Sequence, residues 1–120
     1  MYINQNVGKL GENIAVKYLE NLKYKIIERN YSCRQGEIDI IVYDVLSKEI
    51  VFIEVKTRTS LSYGTPKEAV NKIKQIHIKK VAKYYIYNYG INDISCRFDV
   101  IEIYLINNSY KINHIKQAFI

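Results

Sequence analysis

Within the stretch Gly36 to Lys56, GEIDIIVYDVLSKEIVFIEVK, four charged side chains have the types and spacing for metal or charge chemistry: Glu37, Asp39, Glu54 and Lys56. They punctuate two apolar runs, Ile38 to Tyr43 and Ile50 to Val55, whose β-branched residues favour strands. The polar connection Asp44 to Lys48 has the length of a hairpin loop. Side chains alternate faces along a strand, so Glu37 and Asp39 share one face, and Glu54 and Lys56 share one face of the next strand. If those faces coincide, three carboxylates and an ammonium converge on one patch beside Ile, Val and Phe. Removing charge from water is costly unless the charge is paired or holds a metal. Two readings stand on the residues alone. One is a metal-holding site; the other is a salt-bridge ladder across two strands, which is worth little energetically.

The elements that must position these groups are legible in order. Asn6 to Leu22 carries Val7, Leu10, Gly11, Ile14, Ala15, Tyr18, Leu19 and Leu22 at helical spacing. Glu12 projects about 140° on that wheel, bordering the apolar face, where it either leans toward the sheet edge or stays solvated near the positive helix end. A first strand is expected over Tyr24 to Ser32. The central hairpin follows, then the loop Thr57 to Thr65, TRTSLSYGT, with Arg58 just past the acids. Thr65 as N-cap, Pro66 at the first helical position and Glu68 completing a capping box open a second helix. It runs to about Tyr89, where Gly90 is a natural stop. Its expected inward face is Ala69, Val70, Ile73, Ile76 and Tyr84. Lys72, Lys79 and Lys83 line one side with Gln75 close by, and Lys74 lies on the other flank, nearer the core. Strands Ser95 to Ile106 and Tyr110 to Phe119 complete an αβββαββ order. This is an α/β domain with a mixed sheet, expected to be one domain over residues 1–120.

Composition narrows the function classes. The 120 residues carry a net charge of +6, which favours polyanionic partners without proving them. No secretory signal and no bilayer-spanning run is legible, so no membrane partner is expected and the compartment expected is the cytoplasm. Cys33 and Cys96 are distant in sequence and form no CxxC motif, so reduced packing residues are expected. His77 and His114 lack ligand spacing for zinc. Arg97 and Asp99 alternate onto one face of their strand, where they pair with each other or support the acids. The lysine stripe reads either as a solvated helix face or as a phosphate-contacting surface. The twelve tyrosines fit packing as well as base stacking.

GEIDII, VFIEVKTR, YGTPKEAV and RFDV, in that order and with KLGENIA ahead of them, resemble the YraN-like family of bacterial proteins. That family is similar in turn to the restriction-endonuclease-like PD-(D/E)xK superfamily, which includes Holliday-junction resolvases. The resemblance covers nearly the whole chain. It implies a restriction-endonuclease-like sheet flanked by helices, with Asp39 as the superfamily acid and Glu54-Val55-Lys56 as the (D/E)xK element. It matches Glu12 to a helix acid used by several resolvases. Ile38 stands where the name-giving motif has proline. The implied activity is metal-dependent endonuclease cleavage of phosphodiester bonds, with branched DNA a candidate substrate. Asp39 and Glu54 would hold Mg²⁺ or Mn²⁺, with the Val55 carbonyl, Glu12 and Glu37 as further donors; Mg²⁺ takes oxygen ligands and needs few carboxylates. Lys56 would orient water or stabilise developing charge. Arg58, Lys72, Lys74, Lys79 and Lys83 would meet nucleic acid, DNA ahead of RNA, with a homodimer left open. The competing reading is a non-catalytic nucleic-acid-binding module that keeps the nuclease fold; a protein-interaction adaptor is the third.

Overall fold

The structure is a computed structural model that describes residues 3–59 and 70–120, with side chains of the first helix from Val7 onward. α1 (Ile3–Asn21) is followed by β1 (Lys25–Cys33), β2 (Gly36–Asp44), β3 (Glu49–Arg58), α2 (Lys72–Asn88), β4 (Ser95–Ile106) and β5 (Ser109–Phe119). The five strands form one sheet in the order β1-β2-β3-β4-β5. Only the β3–β4 pair is parallel. A parallel neighbour cannot be reached by a tight turn, and α2 lies in the crossover that joins them. The expected αβββαββ order and mixed sheet are therefore observed.

The central strands β2, β3 and β4 bury both faces, which is why their cores are nearly continuous apolar runs instead of alternating with polar residues, unlike the edge strands β1 and β5. Ile40, Val42, Val51, Ile53, Ile101 and Ile103 pack under α1 through Ala15 and Leu19. Ile38, Ile41, Phe52 and Val100 pack under α2 through Ile78, Val81, Ala82 and Tyr85. Burying one such aliphatic or aromatic side chain contributes about 1.5–3 kcal/mol. At Gly11, α1 comes so close to β3 that an added Cβ would fall on the Thr57 hydroxyl.

The helix ends follow their local chemistry. Asn71 caps α2, its side chain accepting the Lys74 N–H at 2.8 Å. Gly90, at φ +60°, ends it: the Gly90 N–H reaches Tyr87 O and the Ile91 N–H reaches Ile86 O. α1 ends the same way, but with Lys23 at φ 72° in the glycine position. The Thr65, Pro66 and Glu68 start signal lies outside the described residues, as does Ala69.

The inward face expected for α2 needs correction. Val70 is buried just before the helix, but Ile73, Ile76 and Tyr84 are 69%, 49% and 41% exposed. The helix presents Ile78, Val81, Ala82 and Tyr85 instead, spaced i, i+3, i+4, i+7. Lys74 is not near the core either; its side chain is 46% exposed.

Candidate metal and phosphate site

Asp39 sits where two strands part company. The β2–β3 ladder runs from Asp44↔Glu49 to Ile40↔Ile53 and stops there. Ile38 packs on the α2 side and Ile40 on the α1 side, so strict two-residue alternation fails at the residue between them. The Val55 N–H points across the opened gap, and Asp39 Oδ2 accepts it at 2.8 Å. A side-chain oxygen thus takes the place of a ladder acceptor, which pins the carboxylate beside the adjoining pocket. That pocket, of about 600 Å³, is lined by Asp39, Val55, Lys56 and Arg58 together with Gly8 and Glu12 of α1. The close approach at Gly11 is what brings α1 to its rim.

Glu54 is buried next to it. Its Oε2 lies 3.1 Å from Lys74 Nζ and 3.8 Å from Lys56 Nζ. Lys74 stands in the first turn of α2, where the helix dipole disfavours a cation, and Glu54 compensates. Burial alone would lower the Lys74 pKa, but the Glu54 charge and hydrogen bond raise it. Asp39 moves furthest. Burial and then the Glu54 charge push its carboxyl up to about 7, with smaller contributions from Glu12 and Glu37, against the Val55 hydrogen bond.

Glu12 faces the pocket but is held from the other side. Its Oε1 accepts from Arg29 Nη2 at 2.7 Å, Arg29 Nε at 3.2 Å and Asn30 Nδ2 at 3.1 Å. Asn30 adopts φ +54° in β1, a conformation that asparagine tolerates better than most residues. Glu37 is exposed, does not line the pocket, and acts on Asp39 and Lys74 only through its charge. Asp39, Val55, Lys56, Arg58 and Glu12 are therefore brought together, Glu54 adjoins them, and Glu37 stands apart. Among the described residues, no group of three or more Asp, Glu, His or Cys side chains is gathered closely enough to hold a metal ion by itself. Lys72 and Lys79 line a groove between α2 and the end of β5, with Lys79 Nζ 5.9 Å above the Phe119 ring; Lys83 is exposed further along.

Arg97 and Asp99 pair with each other, at 2.9 and 3.1 Å, and do not touch the pocket. Arg97 also reaches Asp44, Glu49 and the Tyr24 hydroxyl, tying β4 to the β2–β3 turn. His114 bridges Asp99 at 2.7 Å and the Tyr18 hydroxyl at 2.8 Å, a buried structural role. His77 is exposed, and the two cysteines are free. Sequence spacing did not single out Arg29, which claims Glu12, or Glu102, a fully buried acid in β4. A lone acid inside the apolar run Val100 to Ile103 was the one signal available for the latter.

A family model described as uncharacterised protein family UPF0102 matches residues 11–103, a span that holds the whole pocket except the start of α1. The chain belongs to that family. UPF0102 proteins of Alkaliphilus oremlandii and Caldicellulosiruptor bescii are 50% identical over 119 residues and 52% identical over 118. These alignments cover 98% and 96% of this chain, and 100% and 98% of the relatives. A UPF0102 protein of Clostridium botulinum is 50% identical over 121 residues, covering 98% of this chain and 97% of its own. Among solved structures, a repair endonuclease from Pyrococcus abyssi overlays on 78% of this chain and 37% of its own, at TM-score 0.46 and 20% identity. Among the described residues of this UPF0102 protein, no helix is long and apolar enough to cross a membrane.

Proposed function

We propose that this UPF0102 protein is a nucleic-acid-binding, Mg²⁺- or Mn²⁺-dependent endonuclease, with branched DNA as the substrate to test first. The observation that carries the reading is Asp39. Its carboxylate is pinned by the Val55 N–H, crowded by Glu54 and Glu12, and opens on a pocket that also holds Lys56 and Arg58. The donor chemistry fits the ion. An acid raised to about 7 by burial and neighbouring carboxylates sits in negative charge that a cation relieves, and Mg²⁺ needs only one or two protein carboxylates, keeping waters for the rest. Asp39 and Glu54 would hold it, with the Val55 carbonyl and Glu12 as further oxygens and Glu37 too far out to be more than an outer partner. When bound, the ion supplies charge stabilisation to the phosphoryl oxygens and lowers the pKa of attached water. Lys56 orients the attacking water and stabilises charge as it develops. Arg58 grips the phosphate, and Lys72, Lys79 and Lys83 carry the strand away along α2.

One observation favours a second reading, a non-catalytic binding module. Lys74 already neutralises Glu54 at 3.1 Å, so the cluster is partly balanced without a metal. A cleavage panel of branched, single-stranded and duplex DNA and RNA with Mg²⁺ and Mn²⁺ separates the two. Metal-dependent cutting that Asp39→Ala abolishes supports the enzyme; binding without cutting on every substrate rejects it in favour of the module.

A further inference from the structure

The least expected charge in the molecule is Glu102. It is 0% exposed, on β4, flanked by Ile101 and Ile103. Burying an ionised carboxylate is costly, and the surrounding structure must offset that cost. Part of the compensation is visible: Oε1 accepts the Tyr104 hydroxyl at 3.0 Å and Asn113 Nδ2 at 3.2 Å. Both donors hold the same oxygen. Oε2 is buried without a hydrogen bond among the described residues, and Arg58 Nε lies 3.8 Å from it, an ion pair too long to be a hydrogen bond. The parallel β3–β4 register explains the meeting, because it sets Lys56 beside Glu102 and Arg58 beside Tyr104. Registered neighbours on adjacent strands project to the same face. The carboxylate therefore lies behind the two cations that line the pocket with Asp39.

We propose that Glu102 is a positioning residue for Arg58, holding the guanidinium at the pocket so that its outer donors meet a phosphate of the bound strand. This rests on the nucleic-acid reading above. An Arg side chain has a planar fork of donors, and holding its Nε edge by the charge of Glu102 restricts how the other edge is presented. Tyr104 and Asn113 act one step further back by fixing the carboxylate.

The expected effect of neutralising Glu102 has an unusual sign. Glu102→Gln makes the protein one unit more positive than +6, so a field effect alone would tighten binding to a polyanion. Loss of Arg58 positioning weakens it instead, by about tenfold or more, as expected for one charge-assisted hydrogen bond to phosphate. The assay is fluorescence anisotropy with a labelled four-way DNA junction in EDTA, so that cleavage does not intervene. Arg58→Gln should weaken binding similarly, and Glu102→Gln added to it should cause no further loss. Tyr104→Phe, a milder change that keeps the carboxylate, should weaken binding in the same direction and only while Arg58 is present; it replaces Glu102→Gln should that variant unfold. In parallel, NMR exchange of the Arg58 Nε–H should be slow in wild type and faster in Glu102→Gln or Tyr104→Phe. Unchanged exchange, or tighter junction binding by a folded Glu102→Gln, overturns the proposal. If wild type binds no nucleic acid at all, the functional reading falls and the phosphate role with it; the exchange data still decide whether Glu102 orders Arg58.

Discussion

Replacing Asp39 by Asn should make the metal-free protein more stable at pH 8. Asparagine keeps an oxygen that can accept the Val55 N–H, so the pinning hydrogen bond survives while the charge is removed. Asp39 is raised from 3.8 to about 7 in the folded protein, first by burial and then by Glu54. The sign follows directly. Below the unfolded pKa both states hold the proton and nothing is lost. As pH rises from about 4 through about 7, the unfolded chain ionises first, and the folded state falls behind until its own carboxyl ionises. At 1.36 kcal/mol per pH unit the ceiling is about 4 kcal/mol. Partial exposure and relaxation reduce it, and about 2 kcal/mol is the working figure. In a domain of this size that moves Tm by about 5–10 °C.

The assay is thermal unfolding in EDTA from pH 4.5 to 8.5. Wild type should lose stability across that window relative to Asp39→Asn. Asp44 and Asp99 do not confuse the comparison. Burial alone would raise both, but Arg97 and hydrogen bonds hold Asp44 below the usual range, and His114 and Arg97 do so for Asp99. Their stabilisation is present above about pH 4 and is lost only as pH falls below it. Adding Mn²⁺ at pH 8 should then stabilise wild type by mass action and leave the variant unmoved. A variant no more stable than wild type at pH 8, with the same Mn²⁺ response, would refute both the charge-crowding argument and the metal site.

Three further outcomes are expected. Lys56→Ala should keep Mn²⁺ affinity by calorimetry while single-turnover cleavage falls by roughly 10²-fold, the typical loss of one transition-state stabiliser; cutting at the wild-type rate would reduce Lys56 to a salt-bridge partner of Glu54. Charge reversal of Lys72, Lys79 and Lys83 together should flatten the salt dependence of duplex binding by about 0.9 log unit for each phosphate no longer neutralised, on all sequences alike. An unchanged slope would make the stripe a solvated face. Lys23→Gly should raise stability by roughly 0.5–1 kcal/mol in chemical denaturation, because Lys23 holds φ 72° in a position that suits glycine; a neutral or lower midpoint would count against that account.

The fold was legible wherever one local rule dominated. β4 was expected at Ser95 to Ile106 and is found there, because a polar turn precedes a run of apolar, β-branched residues. Gly90 ended α2 for a reason written in a single residue. The face of α2 was not legible because its apolar residues are distributed around the wheel: Ile73, Ile76 and Tyr84 on one side, Ile78, Val81 and Tyr85 on another. Periodicity offers two solutions there, and only the sheet, through Ile38, Phe52 and Val100, selects between them.

The candidate site shows the same division at finer scale. Alternation along two strands brought Asp39 and Glu54 to one place, yet alternation fails at Asp39 itself. A regular strand would have buried Ile38 and Ile40 on one face and left the Val55 N–H to a main-chain acceptor. The break sends the isoleucines to opposite cores and hands that N–H to a carboxylate. Asp39 is thus fixed by an irregularity that no period can encode, while Glu37, placed by the unbroken rule, falls outside the pocket. Glu102 and Arg29 were illegible for another reason: each acts through a partner on a different element, Arg58 across a parallel register and Glu12 across a helix. Sequence spacing reports which side chains share a face of one element. Which charges end up facing each other depends on strand pairing and helix docking, and it is there that the pocket acquires a pinned Asp39 carboxylate beside Lys56 and Arg58.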